Sequence, residues 1–94
     1  MNPEEKATEL GIEFTKQEPG YLNLCIRTGN LLITSGHTSD ATGILGAGLT
    51  VEEGYAAARD CAAKILNSVH NANGTINGLR VINLLGCVYS APDF

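Results

Sequence analysis

Two short apolar stretches, residues 21–28 and 31–35, flank the pair Gly29-Asn30. Gly followed by a polar residue makes the two-residue turn whose twist matches paired strands, so the spacing predicts a β-hairpin. Leu31-Leu32-Ile33 is apolar on both faces, which predicts an inner strand. Farther along, the period becomes helical. Val51, Tyr55, Ala58, Ala62, Ile65, Leu66 and Val69 recur at three- and four-residue intervals, with Arg59, Asp60, Lys64 and Asn67 on other faces. Thr50-Val51-Glu52-Glu53 is a capping box that opens this helix. Gly74 is a natural left-handed stop, so the helix is expected to reach about Ala72. Gly54, Ala57, Ala58, Cys61, Ala62 and Ala63 keep its first half slim enough to lie close to a sheet.

Residues 79–90 then read as a long strand. Val81, Asn83, Leu85, Cys87 and Tyr89 share one face; Arg80, Ile82, Leu84, Gly86 and Val88 share the other. A strand apolar on both sides expects cover on both sides. The predicted order is strand, strand, helix, strand, with a right-handed crossover through the helix. One helix covers one sheet face, and nothing in these 94 residues covers the other. At the start, Asn2-Pro3-Glu4-Glu5 opens a short helix that Gly11 ends, and Ala7 and Leu10 could face a core. At one to two turns it needs docking to persist. Pro19-Gly20 marks a turn, and residues 36–48 form a loop rich in Gly, Ser and Thr. Ser90-Ala91-Pro92-Asp93-Phe94 is a further helix start with no helix after it, so the expectation is a chain cut short.

Size limits this chain to one domain with a thin core. Aromatics are 5% with no Trp, so that core must be aliphatic. Net charge is −4 and the six cations are scattered, which argues against nucleic acid as a partner. No apolar run approaches 18 residues, so no membrane span is expected. Cys25, Cys61 and Cys87 are widely spaced, with no C-x-x-C and no His at ligand spacing. The expectation is three small hydrophobes in a reducing cytoplasm, with no metal. The run Gly43-Ile44-Leu45-Gly46-Ala47-Gly48 has its glycines in the wrong order for a dinucleotide fingerprint and lies far from the strand–helix junction, so no cofactor is expected.

Three segments together resemble the RidA family, also called YjgF or L-PSP endoribonuclease-like. Tyr21-Leu22-Asn23-Leu24-Cys25-Ile26-Arg27-Thr28-Gly29-Asn30-Leu31-Leu32-Ile33-Thr34-Ser35-Gly36 resembles its N-terminal hairpin, whose second strand ends in Ser-Gly. Leu49-Thr50-Val51-Glu52-Glu53-Gly54-Tyr55 resembles the start of its first long helix, and residues 80–94 its next strand and turn. The likeness runs over residues 4–94. It implies a chorismate-mutase-like α+β fold, assembled as a trimer, of which residues 1–94 would form a single domain lacking the second helix and the last strands. It also implies hydrolysis of reactive enamines and imines to 2-keto acids and ammonia, in a pocket between subunits. By position, Ser35 matches the family Ser and Tyr21 the family Tyr. The family's substrate-clamping Arg and water-handling Glu have no counterpart here. Arg59 and Arg80 stand at non-equivalent positions.

Hydrolysis of an anionic imine needs a cation for the carboxylate, a group that activates water, and a closed pocket. The hydroxyls of Tyr21 and Ser35 are not bases at neutral pH. His37, two residues from Ser35, is the one candidate base nearby, though a loop His is more often solvated. Glu52 and Glu53 serve the helix cap, and His70 suits the negative end of the helix dipole. The pocket candidates are therefore Tyr21, Ser35, Gly36 and His37, with no catalytic residue assigned. Three readings stay open. The first is a relative without deaminase activity, held together by self-association. The second is part of a working family enzyme. The third is a module that holds a small 2-keto or 2-imino acid without turnover.

Overall fold

Capping decides where both helices begin. In the computed structural model, which describes all of Met1–Phe94, helix α1 spans Pro3–Glu9 and helix α2 spans Val51–Asn73. Asn2 caps α1 and Thr50 caps α2 through complete capping boxes, with Glu5 and Glu53 reaching back to the cap N–H groups. The Glu53 carboxyl is held below its usual range, first by the Thr50 backbone N–H and then by the Thr50 hydroxyl. Gly74, at φ 83°, ends α2 in the left-handed conformation and donates its N–H to the His70 carbonyl.

The hairpin forms around Gly29-Asn30, with β1 (Cys25–Thr28) antiparallel to β2 (Leu31–Thr34) and Ile26 opposite Ile33. Its strands are shorter than the apolar stretches suggested, because residues 21–23 find no partner. The loop after β2 holds a second, very short sheet in its Gly-rich part. There β3 (Ile44–Leu45) pairs in parallel with β4 (Gly48–Leu49). Together these elements make a small α+β protein.

Packing gathers at the C-terminal end of α2. The Glu4 carboxylate accepts from Thr75 Oγ1 at 2.9 Å and from the Ile76 N–H at 3.3 Å, and lies 3.3 Å from His70 Nε2. Asn77 Oδ1 accepts the Glu4 N–H. Arg59 reaches across to donate to the Leu10 carbonyl at the end of α1. These ties dock α1, burying Ala7 and Ile76. Phe14 stacks on His70 with ring centres 4.3 Å apart. Residues 15–17 then run along α2, where Asn67 and Asn71 take the N–H groups of Thr15 and Gln17. His70 therefore does more than complement a dipole: it anchors the N-terminal lead-in.

The expected crossover is not formed. Residues 79–89 pair with no strand, and residues 79–88 take part in no hydrogen bond at all. A strand needs a partner edge, and the neighbouring hairpin lies across a wide gap. Only the end of this segment is held: Leu45 donates to the Tyr89 carbonyl and accepts from the Ala91 N–H, bridging to Ser90. The helix start at residues 90–94 makes a single turn, closed by Phe94 N–H on the Ala91 carbonyl. The segment is thus an arch, fixed at both ends and bare between. The cover missing from one face in the sequence is missing from both, with Leu84 and Leu85, on opposite faces, 76% and 87% exposed. No helix is long and apolar enough to cross a membrane.

Candidate functional site

The arch, β2 and α2 enclose a hollow of about 1850 Å³. Its walls include Ser35, Gly36 and His37, so three of the four sequence candidates come together. Tyr21 does not join them: it is fully exposed and lines no hollow, because residues 21–23 lie outside the hairpin ladder.

Ser35 follows directly on β2, and its N–H extends the hairpin by donating to the Leu24 carbonyl. Its hydroxyl is buried without a hydrogen-bond partner. Such a group carries a desolvation penalty of about 1–3 kcal/mol until a ligand or water meets it. His37 is held from both sides. Nδ1 lies 2.8 Å from the Ser35 carbonyl, and Nε2 lies 2.7 Å from Ser68 Oγ. A carbonyl only accepts, so Nδ1 carries the proton and Nε2 accepts from the Ser68 hydroxyl. Ser68 in turn accepts from Gln17 Nε2 at 2.8 Å. The ring has no nitrogen left to take a proton from water. His37 as placed is a strut between the loop and α2.

Ser68 is the residue that sequence reasoning missed. It is 1% exposed and the one polar residue buried as a whole. The sequence holds little signal for it, because Asn67, Ser68 and Asn71 stand in a half of α2 that also carries Lys64, His70 and Asn73.

The loop is tied a second time outside the hollow. Lys64 donates to the Thr38 carbonyl and pairs with Asp40 at 2.7 Å and Asp60 at 3.4 Å. Asp60 also accepts the Asp40 N–H at 2.9 Å. That backbone bond, and then Lys64, holds the Asp60 carboxyl below its ordinary value, while the bond to Asp40 holds Lys64 above its own. A carboxyl lowered in the folded state contributes stability above its unfolded pKa and loses it as pH falls through the folded one. The Asp40 amide resonance is therefore expected to shift on acidification with a midpoint below the ordinary aspartate range. In Asp60→Asn that transition should vanish. An unchanged titration of the Asp40 amide would show that Asp60 does not hold the loop.

The charge pattern of the hollow is one-sided. Arg27 and Arg80 line it, and no carboxylate does, in a chain of net charge −4. Arg27 is engaged with Asn73 Oδ1 and the Gly29 carbonyl. Arg80 has no hydrogen-bond or ion-pair partner. The three cysteines are unpaired thiols, and burial pushes the Cys25 thiol up. No group of three or more His, Cys, Asp or Glu side chains gathers as a metal cluster.

Compared with known proteins, 54 residues of the chain are 46% identical to Protein TCP17 of Trypanosoma cruzi, a match that covers 56% of this chain. The matched region spans about a third, 34%, of that protein's length. No protein-family model and no solved structure matches the chain.

Proposed function

We propose that this 94-residue chain is a RidA-like protein of chorismate-mutase-like architecture that does not hydrolyse imines or enamines and works as a self-associated, non-catalytic form. The observation that carries the first half is the state of His37. The candidate base beside Ser35 has both ring nitrogens committed, and no carboxylate lines the hollow to replace it. Water activation needs such a group within hydrogen-bond reach. The test is ammonia release from enzymatically generated 2-aminoacrylate. Rates equal to the protein-free background are expected; clear acceleration proportional to protein concentration would overturn the reading and favour a working deaminase.

One observation favours a second reading, a module that holds a small 2-keto or 2-imino acid. The unpaired Ser35 hydroxyl offers a donor to a carboxylate or keto oxygen, and Arg80 offers an uncommitted guanidinium on the same hollow. Pyruvate at millimolar concentration should then raise the melting temperature, and Arg80→Gln should abolish the rise.

A further inference from the structure

Two Asn-Gly pairs lie close together, Asn73-Gly74 at the end of α2 and Asn77-Gly78 in the turn that follows. An Asn-Gly pair can modify itself. The glycine backbone nitrogen attacks the asparagine Cγ, and a cyclic imide forms as the side-chain nitrogen leaves. Glycine permits the approach because no Cβ shields its nitrogen.

The surroundings of the two pairs differ. The Gly74 N–H is committed to the His70 carbonyl at 2.7 Å, as the stop of α2. The Asn73 carboxamide is held at both ends, accepting from Arg27 and donating to the Thr75 carbonyl at 2.9 Å. Attack there must first open the last turn of α2. At the second pair nothing has to open. Gly78 is exposed, its N–H makes no hydrogen bond, and the space beside its Cα is clear. Asn77 Nδ2 has no partner either, so the leaving nitrogen is free. Asn77 Oδ1 accepts the Glu4 N–H at 2.9 Å. As nitrogen adds to Cγ, negative charge gathers on that oxygen, and a donor fixed beside it stabilises the charge. The bond that ties Asn77 to α1 thus also favours attack on it.

We infer that Asn77-Gly78 is a self-modifying site, which converts in the folded protein to aspartyl and isoaspartyl forms and so loosens α1, while Asn73-Gly74 is protected. The only co-reactant is water. Gly78 N gives its proton to solvent hydroxide and bonds to Asn77 Cγ. The Cγ–Nδ2 bond breaks, and Nδ2 takes up a proton and departs as ammonia. Water then cleaves the imide nitrogen from one of its two carbonyl carbons. Cleavage from Cγ restores the ordinary backbone with an aspartate side chain. Cleavage from the Asn77 backbone carbonyl carbon leaves the chain running through Cβ and Cγ. Either product adds a negative charge beside Glu4, whose carboxylate already serves Thr75, Ile76 and His70. In the isoaspartyl form Oδ1 becomes a main-chain oxygen, and the Glu4 N–H loses its side-chain acceptor. The change runs one way, and it acts on the contacts that dock α1.

The test incubates the whole protein at mildly alkaline pH, native and in urea. Isoaspartate is located by peptide mass spectrometry and by labelling with an isoaspartate methyltransferase. In urea both pairs should convert at similar rates. In the native protein Asn77 should convert about tenfold or more faster than Asn73. Equal rates in the native protein would overturn the inference, and so would an Asn77 that converts in urea alone. Asn77→Gln should stop the acidic form from accumulating, because the longer side chain closes its ring poorly; undiminished accumulation in that variant would place the reaction elsewhere. Ion exchange separates the modified chains by their added charge. Trypsin should cut these at Lys6 faster than unmodified chains, with the helix signal of α2 unchanged. Equal cutting of the two fractions would overturn the loosening of α1.

Discussion

Replacing Ser68 with alanine is expected to destabilise the protein by about 2 kcal/mol, lowering its melting temperature by roughly 8–16 °C for a chain of this size. The hydroxyl joins three segments at one point. It donates to His37 Nε2 and accepts from Gln17 Nε2, while His37 Nδ1 is tied to the Ser35 carbonyl. Alanine leaves the imidazole nitrogen and the Gln17 amide without partners in a partly buried setting. His37 cannot recover by changing tautomer, because the Ser35 carbonyl still needs a donor from Nδ1. The loss is therefore that of stranded groups, larger than the worth of one hydrogen bond. Thermal unfolding at fixed protein concentration measures it, since any association shifts the midpoint. His37→Ala combined with Ser68→Ala should cost less than the two single changes added, by about 0.5 kcal/mol or more. Strict additivity would show that the two side chains do not act as a unit.

Local chemistry was readable from the sequence, and long-range pairing was not. The start of α2 at Val51 follows from Thr50 and Glu53, which satisfy each other within one turn. Its end follows from Gly74 for the same reason. The hairpin turn at Gly29-Asn30 is also local, and it came out in the expected register. Residues 79–90 show the opposite case. Their apolar character says that they want burial, but nothing in an apolar run names the edge it will meet, and here the same chain reaches only its last two residues, through Leu45. The short sheet of β3 and β4 was hidden by its glycines. Only Ile44, Leu45 and Leu49 stand among residues 43–49 as large apolar side chains, too few to show a period. At the site, Ser35, Gly36 and His37 are sequence neighbours, and their proximity costs the fold nothing. Tyr21 sits fourteen positions before Ser35, and the chain between them frays before reaching it. Ser68 enters from another element, 31 positions after His37, and only folding could pair them.

The N-terminal helix provides the second test of what holds this fold. Ala7 is 3% exposed, in a chain where few side chains are fully buried. An aspartate there buries a carboxylate in a space that holds one methyl group, a change that costs about 3–5 kcal/mol. The seven-residue α1 is too short to stand alone in water, so its docking rests on Ala7 and on the bonds that Glu4 makes to Thr75 and Ile76. The expected result of Ala7→Asp is release of residues 2–12 while α2 persists through its own caps and the Asn67 and Asn71 ties. Trypsin reports it directly, since Lys6 lies in α1. When opening and closing are fast, cleavage follows the open population, and 3 kcal/mol raises that population by roughly 100-fold. Cleavage at Lys6 should therefore rise by about that factor with the helical signal of α2 intact. Loss of both together would show that α1 and α2 unfold as one unit, with Ala7 at its centre; an unchanged Lys6 cleavage rate would remove Ala7 from any such role.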